Sequence, residues 1–157
     1  MRVLGVDPGS RITGYGLIEG RRSPRPLAWG TIRLGQRRRL SARLYRLYQE
    51  LKKILERFQP EAIALEKVIP ERYPRAALSL GQSQGIILLV AEEADLPLFT
   101  YHPLEVKTEL TGNGRAGKEE VSYMVKQTLG IEEPLENDAA DALALALTHF
   151  YRTHRAF

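Results

Sequence analysis

The sequence predicts an α/β layer fold with a five-stranded mixed sheet flanked by helices. Three observations carry that reading. The first third alternates as short strands separated by turns. The remainder alternates helical and extended apolar patterns. One extended segment, Ala62-Ile63-Ala64-Leu65, is apolar at every position, as a strand covered on both faces must be.

Val3 to Val6 is an apolar run ending at Asp7, and Pro8-Gly9-Ser10 turns the chain. Tyr15 to Ile18 resumes as a second strand, so residues 3–19 read as a hairpin. The charged, proline-rich stretch Arg21–Pro26 turns again, and Leu27–Leu34 forms a third strand around Trp29 and Ile32. Leu40, Leu44, Leu47, Leu51, Ile54, Leu55 and Phe58 recur at helical spacing, and Pro60 ends that helix. A fourth strand follows and ends at Glu66. Residues 67–75 read as an irregular loop, 76–93 as a helix, and Leu98–Tyr101 as the fifth strand. Pro103–Leu110 suits a short helix with proline in its first turn. Gly112–Gly117 is a loop, and Lys118–Leu129 and Asp138–Thr153 are the last helices. No repeat or linker interrupts the 157 residues, which read as one domain, 1–157.

The absence of cysteine excludes disulfides, thiol catalysis and zinc-cysteine sites. No segment approaches the ~18 apolar residues of a membrane span, so a cytoplasmic protein without membrane association is expected. A formal charge of +4 and a pI near 9.5 make polyanions plausible partners.

Asp7 and Glu66 each end a strand, where ligand sites of α/β sheets gather. Taken singly, Asp7 is also an ordinary turn residue and Glu66 the first solvated position after a buried strand. Asp138 and Asp141 change that balance. Three residues apart, they share a helix face that continues through Ala142, Leu145 and His149. Aspartate on a packed stripe needs a partner or a metal. First-turn placement near the helix dipole accounts for Asp138 better than for Asp141. No lysine or arginine obviously sits at those positions to offset them. If the four converge, their repulsion calls for cations, and hard oxygen donors call for Mg²⁺ or Mn²⁺. Two such ions about 4 Å apart are the usual device for phosphodiester hydrolysis. Setting the four acids aside leaves 23 basic against 15 acidic residues, a surface suited to DNA.

Several blocks then resemble the crossover-junction endodeoxyribonucleases of the RuvC family, which have the RNase H-like fold. They are Gly5-Val6-Asp7-Pro8-Gly9-Ser10 with Thr13-Gly14-Tyr15-Gly16, Ala64-Leu65-Glu66, and Ala77-Leu78-Ser79-Leu80-Gly81-Gln82. They continue with Val106-Lys107, Thr111-Gly112-Asn113-Gly114-Arg115-Ala116 with Lys118-Glu119, and Asp138-Ala139-Ala140-Asp141-Ala142-Leu143-Ala144. The resemblance implies that Asp7, Glu66, Asp138 and Asp141 bind two Mg²⁺ ions (Mn²⁺ may substitute) and carry the chemistry. It implies that Lys107 and Lys118 serve junction binding or cleavage. It further implies a homodimer nicking two opposed strands of a four-way DNA junction, in cooperation with the RuvAB branch-migration complex. At the position where the family places a stacking aromatic this chain has Ile69. Ile69 is expected to act as an apolar wedge, with Tyr73, Arg75 and Arg115 as further DNA contacts.

Gly112 to Lys118 fits the start of a phosphate-binding loop, but Glu119 stands where Ser or Thr must hold Mg²⁺, which excludes an ATPase. The loop can still cradle a DNA phosphate at a helix N-terminus. Arg37-Arg38-Arg39 and the basic positions Arg43, Arg46, Lys52 and Lys53 read as a solvated face. Ala77, Gly81 and Gly85 allow another helix or the sheet to approach closely, most commonly for ordinary packing, and also make the helix of 76–93 a candidate dimer seam. His102 and His149 read as packing or turn residues, and His154 as part of a mobile tail. Two rival functions remain: an actin-like phosphotransferase, which needs two such domains, and a non-catalytic DNA-binding module, which gains nothing from four carboxylates.

Overall fold

The computed structural model describes residues 1–72 and 74–155. The chain runs β1 (Arg2–Asp7), β2 (Ile12–Glu19), β3 (Arg25–Arg33), α1 (Leu40–Phe58), β4 (Ala62–Glu66), α2 (Pro74–Glu93), β5 (Leu98–Tyr101), α3 (Pro103–Thr111), α4 (Lys118–Leu129) and α5 (Asn137–Arg155). The five strands form one sheet of order β3-β2-β1-β4-β5. The first three pair antiparallel, and β4 and β5 run parallel to β1.

Strand periodicity assigns the two faces. Leu4 and Val6 of β1, Leu17 of β2 and Ile63 and Leu65 of β4 point to one side. There they pack with Leu47, Leu51 and Leu55 of α1 and Ile87 and Val90 of α2. Val3, Ile18 and Ala64 point to the other side and pack with α3, α4 and the buried face of α5. β1 and β4 therefore lie between helical layers, which explains the unbroken apolar run of β4.

Helix ends follow local chemistry. Gln59 takes a left-handed conformation (φ 48°) after α1, just before Pro60. His102 caps α3 by accepting from the Leu104 amide at 3.1 Å, while Glu105 accepts from the His102 amide at 2.7 Å. His149 is buried, and its Nδ1 shares a 2.7 Å hydrogen bond with the Tyr101 hydroxyl. Both histidines thus serve capping and packing.

Three expectations need correction. α2 begins at Pro74 rather than at residue 76, because proline fits the first helical turn. β3 spans 25–33 rather than 27–34, extended at its start by pairing with β2. α5 continues to Arg155, and His154 is no loose tail: its ring stacks on Phe150 at a centroid distance of 4.0 Å. Among the described residues, no helix is long and apolar enough to cross a membrane.

Candidate active site

The register of the sheet brings the first two acids together. β1 and β4 pair in parallel with Gly5 opposite Ala64 and Val6 opposite Leu65. One step further along, Asp7 and Glu66 emerge side by side at the same sheet end and on the same face. That face is the one α5 covers.

Glycines allow α5 to lie close enough to complete the group. A Cβ on Gly5 would stand 1.8 Å from the Ala142 carbonyl oxygen, and one on Gly14 would stand 1.9 Å from that of Asp138. Gly14 pairs with Asp7 across β1 and β2. The sheet floor beneath α5 is therefore stripped to backbone just where the helix carries Asp138 and Asp141. Ala139, Ala140 and Ala142, all buried, keep the helix side equally thin.

The four carboxyls act on one another. Asp7 is pushed up to about 8, first by burial and then by Asp141, Glu66 and Asp138, with Lys118 opposing. Glu66 is raised by burial and by Asp141, against the pull of Lys107, Lys118 and His102. Asp141 is raised by burial despite its bond to Lys118. The Lys118 ammonium lies 3.1 Å from the Asp141 Oδ2. Lysine on the first turn of a helix opposes the helix dipole, so this carboxylate compensates for its placement. Residue spacing alone gave no sign of a cation paired with Asp141; packing of α4 against α5 brings Lys118 there from 23 positions away.

Two cavities flank the cluster. One of about 250 Å³ is lined by Glu66 and Asp141 together with Lys107 and Lys118. The other, about 180 Å³, lies beside Asp7 and Glu66 and is walled by Pro8, Ile69, Leu80 and Gln84. Ile69 is half-buried in that wall. Gln84 donates through Nε2 to the Glu66 carbonyl at 2.8 Å, fixing the end of β4 against α2. No sequence signal marked Gln84, since the contact depends on how α2 crosses the sheet. Arg75 and Arg115 are exposed and line neither cavity. Tyr73 lies outside the described residues.

Among the described residues, no three acidic or histidine side chains already stand as a set of metal ligands. The donor chemistry nonetheless fits a hard divalent cation: carboxylate oxygens, with Asp7 held far above an ordinary aspartate first by burial and then by the acids around it.

A mixed sheet of this order, three antiparallel strands followed by two parallel ones with helices on both faces, is the RNase H-like fold. Within that class, the family model for crossover junction endodeoxyribonuclease RuvC matches residues 3–149. The chain belongs to the RuvC family. It is 45% identical to the crossover junction endodeoxyribonuclease RuvC of Alkalilimnicola ehrlichii, covering 96% of this chain and 92% of the relative. The Thermus thermophilus RuvC structure superposes with a TM-score of 0.90 at 36% identity, covering 99% of this chain and 97% of that one. T. thermophilus RuvC in complex with Holliday junction substrate superposes at 0.92, again at 36% identity, covering 99% and 96%.

Proposed function

We propose that this protein is a Holliday-junction resolvase, a structure-selective endonuclease that nicks two opposed strands of a four-way DNA junction symmetrically. The products carry 5′-phosphate and 3′-hydroxyl ends, ready for ligation during recombination and repair. The observation that carries the reading is the meeting of Asp7, Glu66, Asp138 and Asp141 at one sheet end in a chain of the RuvC family.

Asp7, Glu66, Asp138 and Asp141 would hold two Mg²⁺ ions, or Mn²⁺ in their place. When bound, the ions supply activation of water and stabilisation of the leaving 3′ oxygen. Asp7, raised by burial and by the acids around it, would be among the residues that hold them. Asp141, which pairs with Lys118, would hold the ions in place of that pair. Lys118 is then free to meet a phosphate oxygen. The first amides of α4, which no side chain caps, lie beside it and suit the same anion. Lys107, in the same cavity, holds the strand on the Glu66 side. Ile69 on the loop after β4 serves as the apolar wedge at the junction centre, with Tyr73, Arg75 and Arg115 as outlying contacts.

A two-fold junction is matched by a two-fold dimer, and α2 supplies the seam. Its Leu78 (72% exposed), Leu88 (53%) and Leu89 (50%) face outward, and a Cβ on Gly81 or Gly85 would meet no atom within 4 Å. Gly81 and Gly85 therefore face away from the chain's own layers. The setting is the cytoplasm, in cooperation with the RuvAB branch-migration complex. The test is Mg²⁺-dependent cleavage of a synthetic four-way junction beside a linear duplex of the same sequence. Paired symmetric nicks in the junction alone are expected; equal cutting of both, or of neither, rejects the reading.

A further inference from the structure

Helix α1 carries cations on two sides, and the sides have different occupations. On one, Lys52 lies 3.5 Å from Glu93 of α2 and 5.2 Å above the Tyr48 ring. That side is satisfied within the fold. On the other, Arg46, Lys53 and Arg57 follow one another at intervals of seven and four, a single helical stripe. With Arg33 they line a groove of about 660 Å³ between α1 and the edge strand β3.

Carboxylates neutralise only part of the groove. Lys53 pairs with Glu50 at 3.1 Å, and Arg33 lies 3.8 Å from Glu136. Among the described residues, no carboxylate comes within ion-pair distance of Arg46 or Arg57. The Arg46 Nε donates to the Arg33 carbonyl at 2.6 Å, which anchors the guanidinium and leaves its two terminal nitrogens for an outside acceptor. The Arg57 guanidinium lies 5.0 Å over the Phe58 ring. Arginine forks held in this way suit phosphate oxygens.

The groove begins at the same sheet end as the acids. Arg33 pairs with Ile12, two positions from the Gly14 that faces Asp7, and Arg43 donates to the Ser10 carbonyl at 3.3 Å. From Arg46 to Arg57 the stripe covers about 17 Å, roughly five nucleotide steps. The groove lies on the sheet face that α1 covers, opposite the α5 face, so an arm that passes over the sheet end carrying the acids reaches Arg46 first and Arg57 last.

We propose that the β3–α1 groove is a second DNA contact, binding the phosphate backbone of the junction arm that leads away from the acids through Arg46 and Arg57. This rests on the junction reading above. The test compares wild type, Arg46→Gln/Arg57→Gln and Arg46→Lys/Arg57→Lys on one four-way junction, by salt titration of binding and hydroxyl-radical footprinting. The glutamine pair is expected to weaken binding about tenfold near ~0.15 M salt and to reduce the log K versus log salt slope by about 2. It should also lose backbone protection away from the cleavage point. The lysine pair should restore the slope. A junction-selective wild type whose glutamine variant keeps its affinity, slope and footprint overturns the groove alone, and points to an acidic protein partner if the groove has one. A wild type that does not prefer the junction overturns the underlying reading and the groove with it.

Discussion

Lys118 and Asp141 form an ion pair between two helices, with Nζ of the first residue of α4 lying 3.1 Å from Oδ2 in the second turn of α5. The pair places a protein cation where four carboxyls would otherwise repel one another. On the metal-binding proposal, Lys118 would compete with divalent ions for the same oxygen. In DNA-free protein, Lys118→Met should tighten Mn²⁺ binding by about two- to fivefold, the worth of a half-exposed pair. Titration calorimetry reads this directly. Weaker Mn²⁺ binding in the variant would show that Lys118 supports the ligand set instead of opposing it.

Asp7 contributes to the pH response of the metal-free protein. Its folded value, about 8, lies above the unfolded one, so its contribution is fully present below about pH 4 and is lost as pH rises toward 8. Burial and the neighbouring acids are the cause. In chelator, Asp7→Asn should raise the melting temperature at pH 8 by at least ~3 °C and change it little at pH 4. A gain of equal size at both pH values would assign the effect to something other than charge.

The buried His149 behaves in the opposite sense. Burial lowers its affinity for a proton, so its contribution is present above about pH 6.5 and is lost as pH falls below that value. Tyr101→Phe removes the partner of Nδ1 and should cost about 1–2 kcal/mol in urea unfolding at pH 7.5. An unchanged midpoint would mean that water replaces the hydroxyl.

Gly14 tests the thin floor beneath α5. Gly14→Ala drives a methyl into the Asp138 carbonyl, and a loss of about 2–4 kcal/mol is expected, together with loss of cleavage. A variant as stable as wild type would mean that α5 can lift without consequence for packing.

Leu78→Glu tests the α2 face. With 72% of the residue exposed, the substitution should leave the melting temperature of the chain itself nearly unchanged and shift the sedimentation coefficient to that of a monomer. A dimer that survives Leu78→Glu places the seam elsewhere.

Much of this architecture could be read from the residues because local signals agreed with the tertiary outcome. The heptad-like leucines of α1 and Pro60 fixed a helix that the structure bounds at Leu40 and Phe58, and the apolar run at 62–65 became a strand between two layers. Asp138 and Asp141 were visible as misfits on an alanine-rich stripe. What stayed hidden depends on how elements cross. Lys118 reaches Asp141 only through the packing of α4 on α5, Gln84 reaches Glu66 only through the path of α2, and the glycines of β1 and β2 acquire meaning only beneath a helix. The two sides of α1 looked alike in sequence because periodicity does not say which neighbour each side will have.

The central claim is that four carboxyls work as one catalytic unit on junction DNA, and Asp7→Asn tests it most directly. With Mg²⁺ and a labelled four-way junction, the variant should lose cleavage by at least ~10³-fold while its junction affinity stays within about threefold of wild type, because the proposal assigns Asp7 chemistry and no DNA contact. Cleavage by Asp7→Asn at the wild-type rate would contradict the account.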